Sequence, residues 1–199
     1  MKAERTRTHI LEQAAPLFNQ KGFDGTSLAD LEKVTGLTKG ALYGNFHDKA
    51  TLAGEAFLYS TAQVKARIRE AIKPIPRYRD KLLVLLDFFA CYVLDPPIAG
   101  GCPLLNAAVE ADDNRISMRP LVAREIREVV NAIAGLLRKG IKAGEFRKNI
   151  KVRELAYTFF CSIEGAIMFS RVEGSREPMD IIIHHCRKKL DQISCNKNV

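Results

Sequence analysis

Apolar residues recur every three to four positions along most of the chain, and this spacing constrains the fold more than any other feature. In the first segment Ile10, Ala14, Leu17 and Phe18 are spaced i, i+4, i+7, i+8, which places them on one face of a helix. The sequence contains no strand-like alternation of apolar and polar residues. The spacing therefore predicts an all-α protein.

Glycine, proline and capping residues divide this pattern into separate helices. Ser27 and Asp30 form a pattern like a capping box at the start of a short helix, which ends at Gly36. Thr38 and Asp48 are predicted to cap the next two helices. Because Pro16 removes a backbone hydrogen bond, we expect a bend or a late start in the first helix. The predicted helices lie near 4–21, 27–35, 38–45, 49–72, 77–94, 103–111, 117–143, 152–172 and 177–193.

The same breaks predict a three-helix head over residues 1–48, a long connecting helix over 49–72 and a larger helical body over 73–199. With 47% hydrophobic residues, the chain can build a substantial core. The formal net charge of +8 is spread over both parts and is weak evidence for nucleic-acid binding by itself. Five isolated cysteines and the absence of an apolar N-terminal leader or a membrane-spanning run favour a reduced, cytoplasmic location.

Two short helices joined by Thr35-Gly36-Leu37 have the sequence form of a helix-turn-helix, whose second helix lies in the major groove of DNA. That helix carries Gly40 and Gly44, although each glycine costs about 0.5–1 kcal/mol relative to alanine. We interpret the pair as a surface shaped for close approach of the backbone to DNA. Leu42 and Phe46 are expected to hold the helix on the core of the head. The alternative is a helical hairpin that binds no DNA.

The remaining side chains of this helix suit contacts with a duplex. Lys39 can donate to guanine, Ala41 can touch a thymine methyl group, and Tyr43 can hydrogen-bond a phosphate. Asn45 can reach a base edge or a phosphate, and Lys49 begins the next helix, where free amides favour phosphate. The predicted DNA-binding residues are Thr26, Ser27, Thr38, Lys39, Gly40, Ala41, Tyr43, Gly44, Asn45 and Lys49.

The motif T-S-L-x-x-L-x-x-x-T-G-L-T-K-G-A-L-Y-x-N-F-x-x-K-x-x-L, preceded by A-A-x-x-L-F-x-x-x-G-F, resembles the TetR/AcrR family of transcriptional regulators over Thr8 to Phe57. The stretch GGCPLLNAAVEADD at 100–113 is similar to the start of the ligand domain in part of that family. Glu32 departs from the pattern, because the family usually has alanine there. We expect its stem to pack while its carboxylate reaches solvent.

The resemblance implies a homodimeric regulator, mostly a repressor, that binds a palindromic operator and is released by a small, largely apolar effector. It implies no cofactor, no catalytic residue and no metal site. In the family the last two helices pair with their copies in a second subunit. An apolar stripe on 177–193 and the small residues Ser162, Ala166 and Ser170 fit that use. The alternative is that this stripe packs within the core of a single chain. The stripe comprises Met179, Ile182, Ile183, Cys186, Leu190 and Ile193.

The resemblance also implies an effector cavity among the middle helices. Glu164 lies in an apolar segment and needs a partner, which is either an arginine such as Arg124 or Arg127, or a cationic or hydrogen-bonding ligand. Cys102 precedes a helix start, where it either packs or acts as a reactive thiol. The candidate lining residues, which could equally be core, are Phe88, Phe89, Tyr92, Cys102, Leu105, Asn106, Val109, Tyr157, Phe160, Cys161 and Glu164.

Two other classes of function compete with this interpretation. An α-helical enzyme would need a catalytic motif, and the sequence contains no P-loop, HExxH or nucleophile elbow. An architectural DNA-binding protein without an effector would need only the head, whereas the body exceeds a hundred residues. The acidic cluster of Glu110, Asp112 and Asp113 is interpreted as solvated or capping rather than metal-binding.

Overall fold

The computed structural model describes residues 2–113 and 116–195, and their regular structure is helical, with a single isolated bridge between Phe146 and Ser194. The all-α prediction is confirmed, and each predicted helix is present with its ends within two residues of the expected ones. The helices are α1 (Lys2–Lys21), α2 (Leu28–Thr35), α3 (Lys39–Asn45), α4 (Lys49–Ile72), α5 (Tyr78–Tyr92), α6 (Pro103–Asp113), a 3-10 turn (Ile116–Met118), α7 (Arg119–Lys142), α8 (Val152–Glu173) and α9 (Glu177–Ile193).

Local capping explains why the short helices begin where they do. The Ser27 hydroxyl accepts the Asp30 N–H at 3.1 Å, and the Asp30 carboxylate accepts the Ser27 N–H at 3.0 Å. Asp48 accepts the Thr51 N–H at 2.7 Å, which starts α4. This hydrogen bond, with that of His47, lowers the pKa of Asp48 to about 2. The predicted caps of α2, α3 and α4 are confirmed.

Of the two outcomes expected at Pro16, the late start of α1 is wrong, and the bend stays a prediction. The helix begins at Lys2 and continues through Pro16 to Lys21. Burial of Ile10, Ala14 and Ala15, which precede Pro16, stabilises the helix. A single lost bond in a helix that buries a full apolar face is therefore tolerated.

Contacts divide the chain into two compact units. The first groups Met1–Lys65 with Pro96–Glu125. Within it α1 packs against α2, α3 and α6, around a core that includes Ile10, Ala14, Leu31, Leu42, Phe46 and Leu52. The functional boundaries at residues 48 and 73 stay a prediction.

The second unit groups Ala66–Asp95 with Ile126–Val199, and α9 packs against both α5 and α8. Glu145, after α7, accepts the N–H groups of Tyr78 and Arg79 at 3.1 and 2.8 Å and so caps α5. Arg79 also pairs with Asp191 near the end of α9. These contacts join the ends of three helices within the unit.

The apolar stripe on α9 packs inside the chain and does not form an exposed dimer surface. Ile183 and Leu190 are buried, as are Ala166 and Ser170 on α8. The Ser170 hydroxyl accepts the Met179 N–H at 3.1 Å, which joins the two helices directly. The predicted partner stripe is thus the intrachain alternative, because an apolar face packs on whichever helix lies nearest.

Other apolar side chains of α8 and α9 are exposed instead: Met168, Phe169, Val172 and Ile181. Met168 and Val172 are four residues apart and share one side of α8. Among the described residues, no helix is long and apolar enough to cross a lipid bilayer.

Candidate DNA-binding interface

Helix α3 is held on the head by two side chains and presents the rest of its surface outward. Leu42 and Phe46 are buried in the core, as predicted. Lys39, Gly40 and Gly44 are exposed, and half-buried Ala41, Tyr43 and Asn45 lie beside them. The Asn45 amide donates to the Ala41 carbonyl at 2.9 Å and so supports the helix from its own surface.

The two glycines of α3 are not required by the packing of the chain itself. A Cβ atom added at Gly44 would meet nothing within 4 Å, and one added at Gly40 would meet only the Thr38 hydroxyl at 4.0 Å. Alanine would favour the helix at both positions. The advantage of glycine must therefore come from outside the chain, as expected where another molecule approaches the backbone closely.

The turn between α2 and α3 is fixed by local hydrogen bonds. Gly36 has φ 68°, a left-handed conformation that favours glycine, and its N–H donates to the Glu32 carbonyl at 2.9 Å. The Leu37 N–H donates to the Thr35 hydroxyl at 3.3 Å. A His9 ring nitrogen lies 2.9 Å from the Thr35 carbonyl, so α1 also contacts the turn. These contacts set the direction in which α3 leaves α2.

A charged side chain from another helix hydrogen-bonds to the backbone at each end of α3. Neither of these two contacts was predicted from the sequence. The Glu32 carboxylate accepts the Lys39 N–H at 2.6 Å in a solvent-exposed hydrogen bond. Arg7 donates to the Asn45 carbonyl at 2.6 Å and stacks over the Phe46 ring at 4.2 Å. Glu32 was signalled by its departure from the family pattern. Arg7 was signalled by its charge three residues before buried Ile10 on the apolar face of α1.

Three of the predicted phosphate-binding side chains are engaged within the head. Thr26 is fully buried and its hydroxyl donates to the Gly22 carbonyl at 2.6 Å, so its assignment as a DNA contact is corrected. The Ser27 hydroxyl is exposed but belongs to the capping box of α2. The Lys49 ammonium group lies over the Phe23 ring at 4.1 Å, a cation–π contact at the start of α4.

The GGCPLLNAAVE segment is joined to the end of α1 by a polar network. The Asn19 amide donates to the carbonyls of Ala99 and Gly101 at 2.9 and 3.0 Å. The Asn106 amide donates to the Asn19 carbonyl, to its side-chain oxygen and to the Gly100 carbonyl, all within 3.0 Å. The predicted ligand residue Asn106 thus has its donors occupied by the chain itself.

The first unit also contains other residues that the sequence analysis named as effector-lining or acidic candidates. Glu110 accepts the Phe23 N–H at 2.9 Å, in the turn that follows α1. Val109 is 68% exposed, which removes it from any cavity lining. Cys102 is buried, and its carbonyl accepts the Asn106 N–H at the start of α6, whereas Leu105 is half-buried.

The remaining effector candidates lie in the second unit. Phe88, Phe89 and Tyr92 form an aromatic cluster with ring centroids 5.3 to 5.8 Å apart. Glu164 is buried, whereas Phe160 is half-buried and Cys161 is exposed, so Cys161 leaves the candidate lining. Tyr157 is half-buried, with the Arg153 guanidinium 5.7 Å from its ring.

Arg124, one of the arginines expected to pair with Glu164, instead contacts the Glu125 carboxylate. Arg124 donates to Glu125 at 3.3 Å, and the Lys65 ammonium group donates to Glu125 at 2.5 Å. Burial raises the pKa of Glu125, but hydrogen bonds and charge from Lys65, with Arg124 and Thr61, outweigh it and lower the pKa overall. Within residues 2–113 and 116–195 no cluster of three histidine, cysteine or acidic side chains could hold a metal ion.

A short helix with an open glycine face, set on a three-helix core by a tight turn, defines a helix-turn-helix DNA-binding protein. The chain belongs to the TetR family of transcriptional regulators. Residues 10–56 match the model of bacterial regulatory proteins of the tetR family, and residues 79–186 match that of the tetracyclin repressor-like C-terminal domain. The protein is therefore a DNA-binding transcriptional regulator and not an enzyme.

Individual relatives agree with this membership. A crystal structure of a TetR family transcriptional regulator from Cytophaga hutchinsonii has a TM-score of 0.92 at 35% identity, over 99% of this chain and 98% of that one. The HTH-type transcriptional repressor DhaR of Mycobacterium sp. (strain GP1) is 23% identical, over 87% of this chain and 86% of its own. A cysteine mutant of the TetR family regulator CifR, complexed with 26bp double-strand operator DNA, shares the fold with a TM-score of 0.80 at 22% identity, over 91% and 94%.

Proposed function

We propose that the protein is a repressor that binds a palindromic operator as a homodimer and is released by a small, largely apolar effector. The observation that carries the proposal is the exposed face of α3, where neither glycine is needed by the chain itself. DhaR is a repressor and CifR is complexed with double-strand operator DNA, and both support the same use of this fold. A regulator of chromosomal DNA acts in the cytoplasm.

The DNA contacts of this proposal are divided between base reading and backbone positioning. Lys39 is the base reader, because its flexible ammonium group can reach guanine O6 and N7 from the first residue of α3. Ala41 and Asn45 contact base edges beside it. The phosphate contacts come from Tyr43, Lys49 and the N-terminal caps Ser27 and Thr38, with Gly40 and Gly44 allowing close approach. Specificity then rests partly on DNA shape, because few side chains reach the bases.

The homodimer of this proposal uses the exposed apolar surface of α8 and α9. Met168, Phe169 and Val172 lie close together on α8, and Ile181 is exposed on α9. Surfaces of this kind mark protein contacts more often than surfaces of ordinary monomers do. A two-fold axis through the last two helices repeats one head in a second subunit, which matches a palindromic operator.

The effector of this proposal binds in the second unit, beside the aromatic cluster of Phe88, Phe89 and Tyr92. Aromatic side chains supply the apolar contacts of most small-molecule sites. Half-buried Tyr157 and Phe160 extend this lining, and Glu164 sets any preference for a cationic group. A ligand that prefers the released conformation by about 100-fold, or roughly 2.7 kcal/mol, is sufficient to lower operator occupancy substantially.

In-vitro selection of DNA from a random pool tests the proposal directly. We expect a two-fold symmetric consensus, with sedimentation showing two protomers on one duplex. Selection by composition or shape without a symmetric site would instead support an architectural protein, and no selection at all would refute DNA-binding regulation.

A thermal-shift screen with neutral, anionic and cationic apolar compounds, followed by operator-release titration, tests the effector. Compounds that stabilise the protein but never release DNA would overturn the inducer mechanism.

A further inference from the structure

We propose that Glu32 and Arg7 are positioning residues that set operator specificity by holding the two ends of α3. The proposal rests on the proposed function, since it concerns how the same helix is presented to DNA. Neither side chain needs to touch a base. Together they fix the backbone from which the base-reading side chains extend.

Helix α3 needs external support because it is short and intrinsically weak. It has seven residues, fewer than the 12–15 or so below which isolated helices are marginal, and two of them are glycine. Only Leu42 within it is buried, with Phe46 at its C-terminal cap. The Thr38 cap is long, since the Ala41 N–H lies 3.4 Å from the hydroxyl oxygen. With only two apolar anchors, the helix depends on further contacts to fix its orientation.

Glu32 holds the N-terminal end. Its carboxylate accepts the N–H of Lys39, the first residue of α3, at 2.6 Å, while its own carbonyl accepts the Gly36 N–H in the turn. A hydrogen bond to an ionised group is stronger than a neutral one. A negative charge is also favourable at a helix N-terminus, where free N–H groups concentrate positive potential. Glu32 therefore fixes the backbone of the residue assigned to read guanine.

Arg7 holds the opposite end with the opposite charge. Its guanidinium group donates to the Asn45 carbonyl, the last residue of α3, and stacks on Phe46 directly after it. A second nitrogen of the same group pairs with Glu55 on α4. A cation is favourable at the helix C-terminus, where free carbonyl groups concentrate negative potential. Arg7 thus joins α1, α3 and α4 at one point.

Holding both ends of α3 should matter more for binding to the operator than for binding to unrelated DNA. Base reading depends on side chains held within roughly 0.5 Å of their productive positions, whereas phosphate contacts tolerate larger displacements. Loosening either end of α3 should weaken operator binding and leave affinity for unrelated DNA nearly unchanged. A role limited to stabilising the fold would lower both affinities together through the fraction of folded protein.

The experiment compares wild type, Glu32→Ala, Glu32→Gln and the control Asp24→Ala, which removes an exposed carboxylate from the same head. Dissociation constants are measured at one salt concentration for the selected operator and for a scrambled duplex of equal length and composition. The specificity ratio is the dissociation constant for the scrambled duplex divided by that for the operator. For Glu32→Ala we expect this ratio to fall about tenfold, equivalent to losing roughly one base-reading contact. For Glu32→Gln, which keeps the acceptor oxygen, and for Asp24→Ala we expect a ratio within about twofold of wild type.

Amide hydrogen exchange of Lys39 is the second readout and does not require DNA. We expect slow exchange in wild type and Glu32→Gln and exchange at least about tenfold faster in Glu32→Ala. If Glu32→Ala unfolds, Arg7→Gln replaces it, with the same expected fall in the ratio. An unchanged ratio in a folded Glu32→Ala, or equal Lys39 exchange in wild type and Glu32→Ala, would overturn the proposal. Failure of wild type to select any operator would instead refute the proposed function, while the exchange result would still decide whether Glu32 holds the helix.

Discussion

Replacing Phe169 with aspartate should dissociate the proposed homodimer and weaken operator binding with it. The Phe169 side chain is 54% exposed on α8. A phenylalanine buries about 150–250 Å² when fully covered, so covering the exposed half removes about 100 Å² from water. At about 25 cal/mol per Å² this is about 2.5 kcal/mol for each protomer. A two-fold interface contains the residue twice, which gives about 5 kcal/mol for the dimer, or more than a thousandfold in the dissociation constant.

Sedimentation equilibrium over a wide range of protein concentration measures this constant, and mobility shift with full and half operators measures its effect on DNA binding. The matched control is Leu94→Asp, because Leu94 is 65% exposed in the same unit but lies after α5. We expect Phe169→Asp to sediment as a folded monomer and Leu94→Asp to behave as wild type. Equal dimerisation of Phe169→Asp and wild type, or equal dissociation of both variants, would refute this assignment of the interface.

Three further outcomes follow from the structure. Gly44→Ala should raise the free energy of unfolding by about 0.5–1 kcal/mol in denaturant titration while lowering operator affinity, and unchanged affinity would count against close approach of DNA at this position. Lys39→Ala should relax the selected consensus, and an identical consensus would remove Lys39 as a base reader. Glu125→Gln should destabilise the protein by about 2 kcal/mol at pH 7, because Lys65 loses its charged partner. Since the folded pKa of Glu125 is lowered, this difference should persist above about pH 4.5 and shrink as the pH falls through the folded pKa, whereas a constant difference in pH-dependent melts would contradict the pair.

The local features of the fold could be predicted from the sequence because they are determined within a few residues. Ser27 with Asp30, Thr38 and Asp48 each satisfy backbone N–H groups of the helix they begin, so their roles follow from spacing alone. Burial of Leu42 and Phe46 likewise follows from a single helical turn. The same reasoning identified the open face of α3.

Features that depend on contacts between distant residues could not be predicted in the same way. The stripe containing Ile183 fits an intrachain partner and a second subunit equally well, since apolar periodicity does not specify what covers it. Asn106 looked like a possible ligand contact because its spacing says nothing of Asn19, 87 residues earlier. Glu32 attracted notice as an exception, but only the three-dimensional arrangement shows the backbone N–H that it accepts.

The junction between Asn19 and Asn106 has a consequence for recombining regulators of this kind. A chimera cut at residue 48 or 72 would transplant a head without the Gly100–Glu110 segment against which α1 is fitted. The packing at Gly100 is too close for any side chain, because a Cβ at that position would lie 2.7 Å from the Asn19 carbonyl oxygen. We therefore expect the transferable module to be discontinuous and to comprise the first compact unit, residues 1–65 together with 96–125. Exchange of DNA specificity between such proteins requires two insertions made together, or a graft limited to the surface of α3.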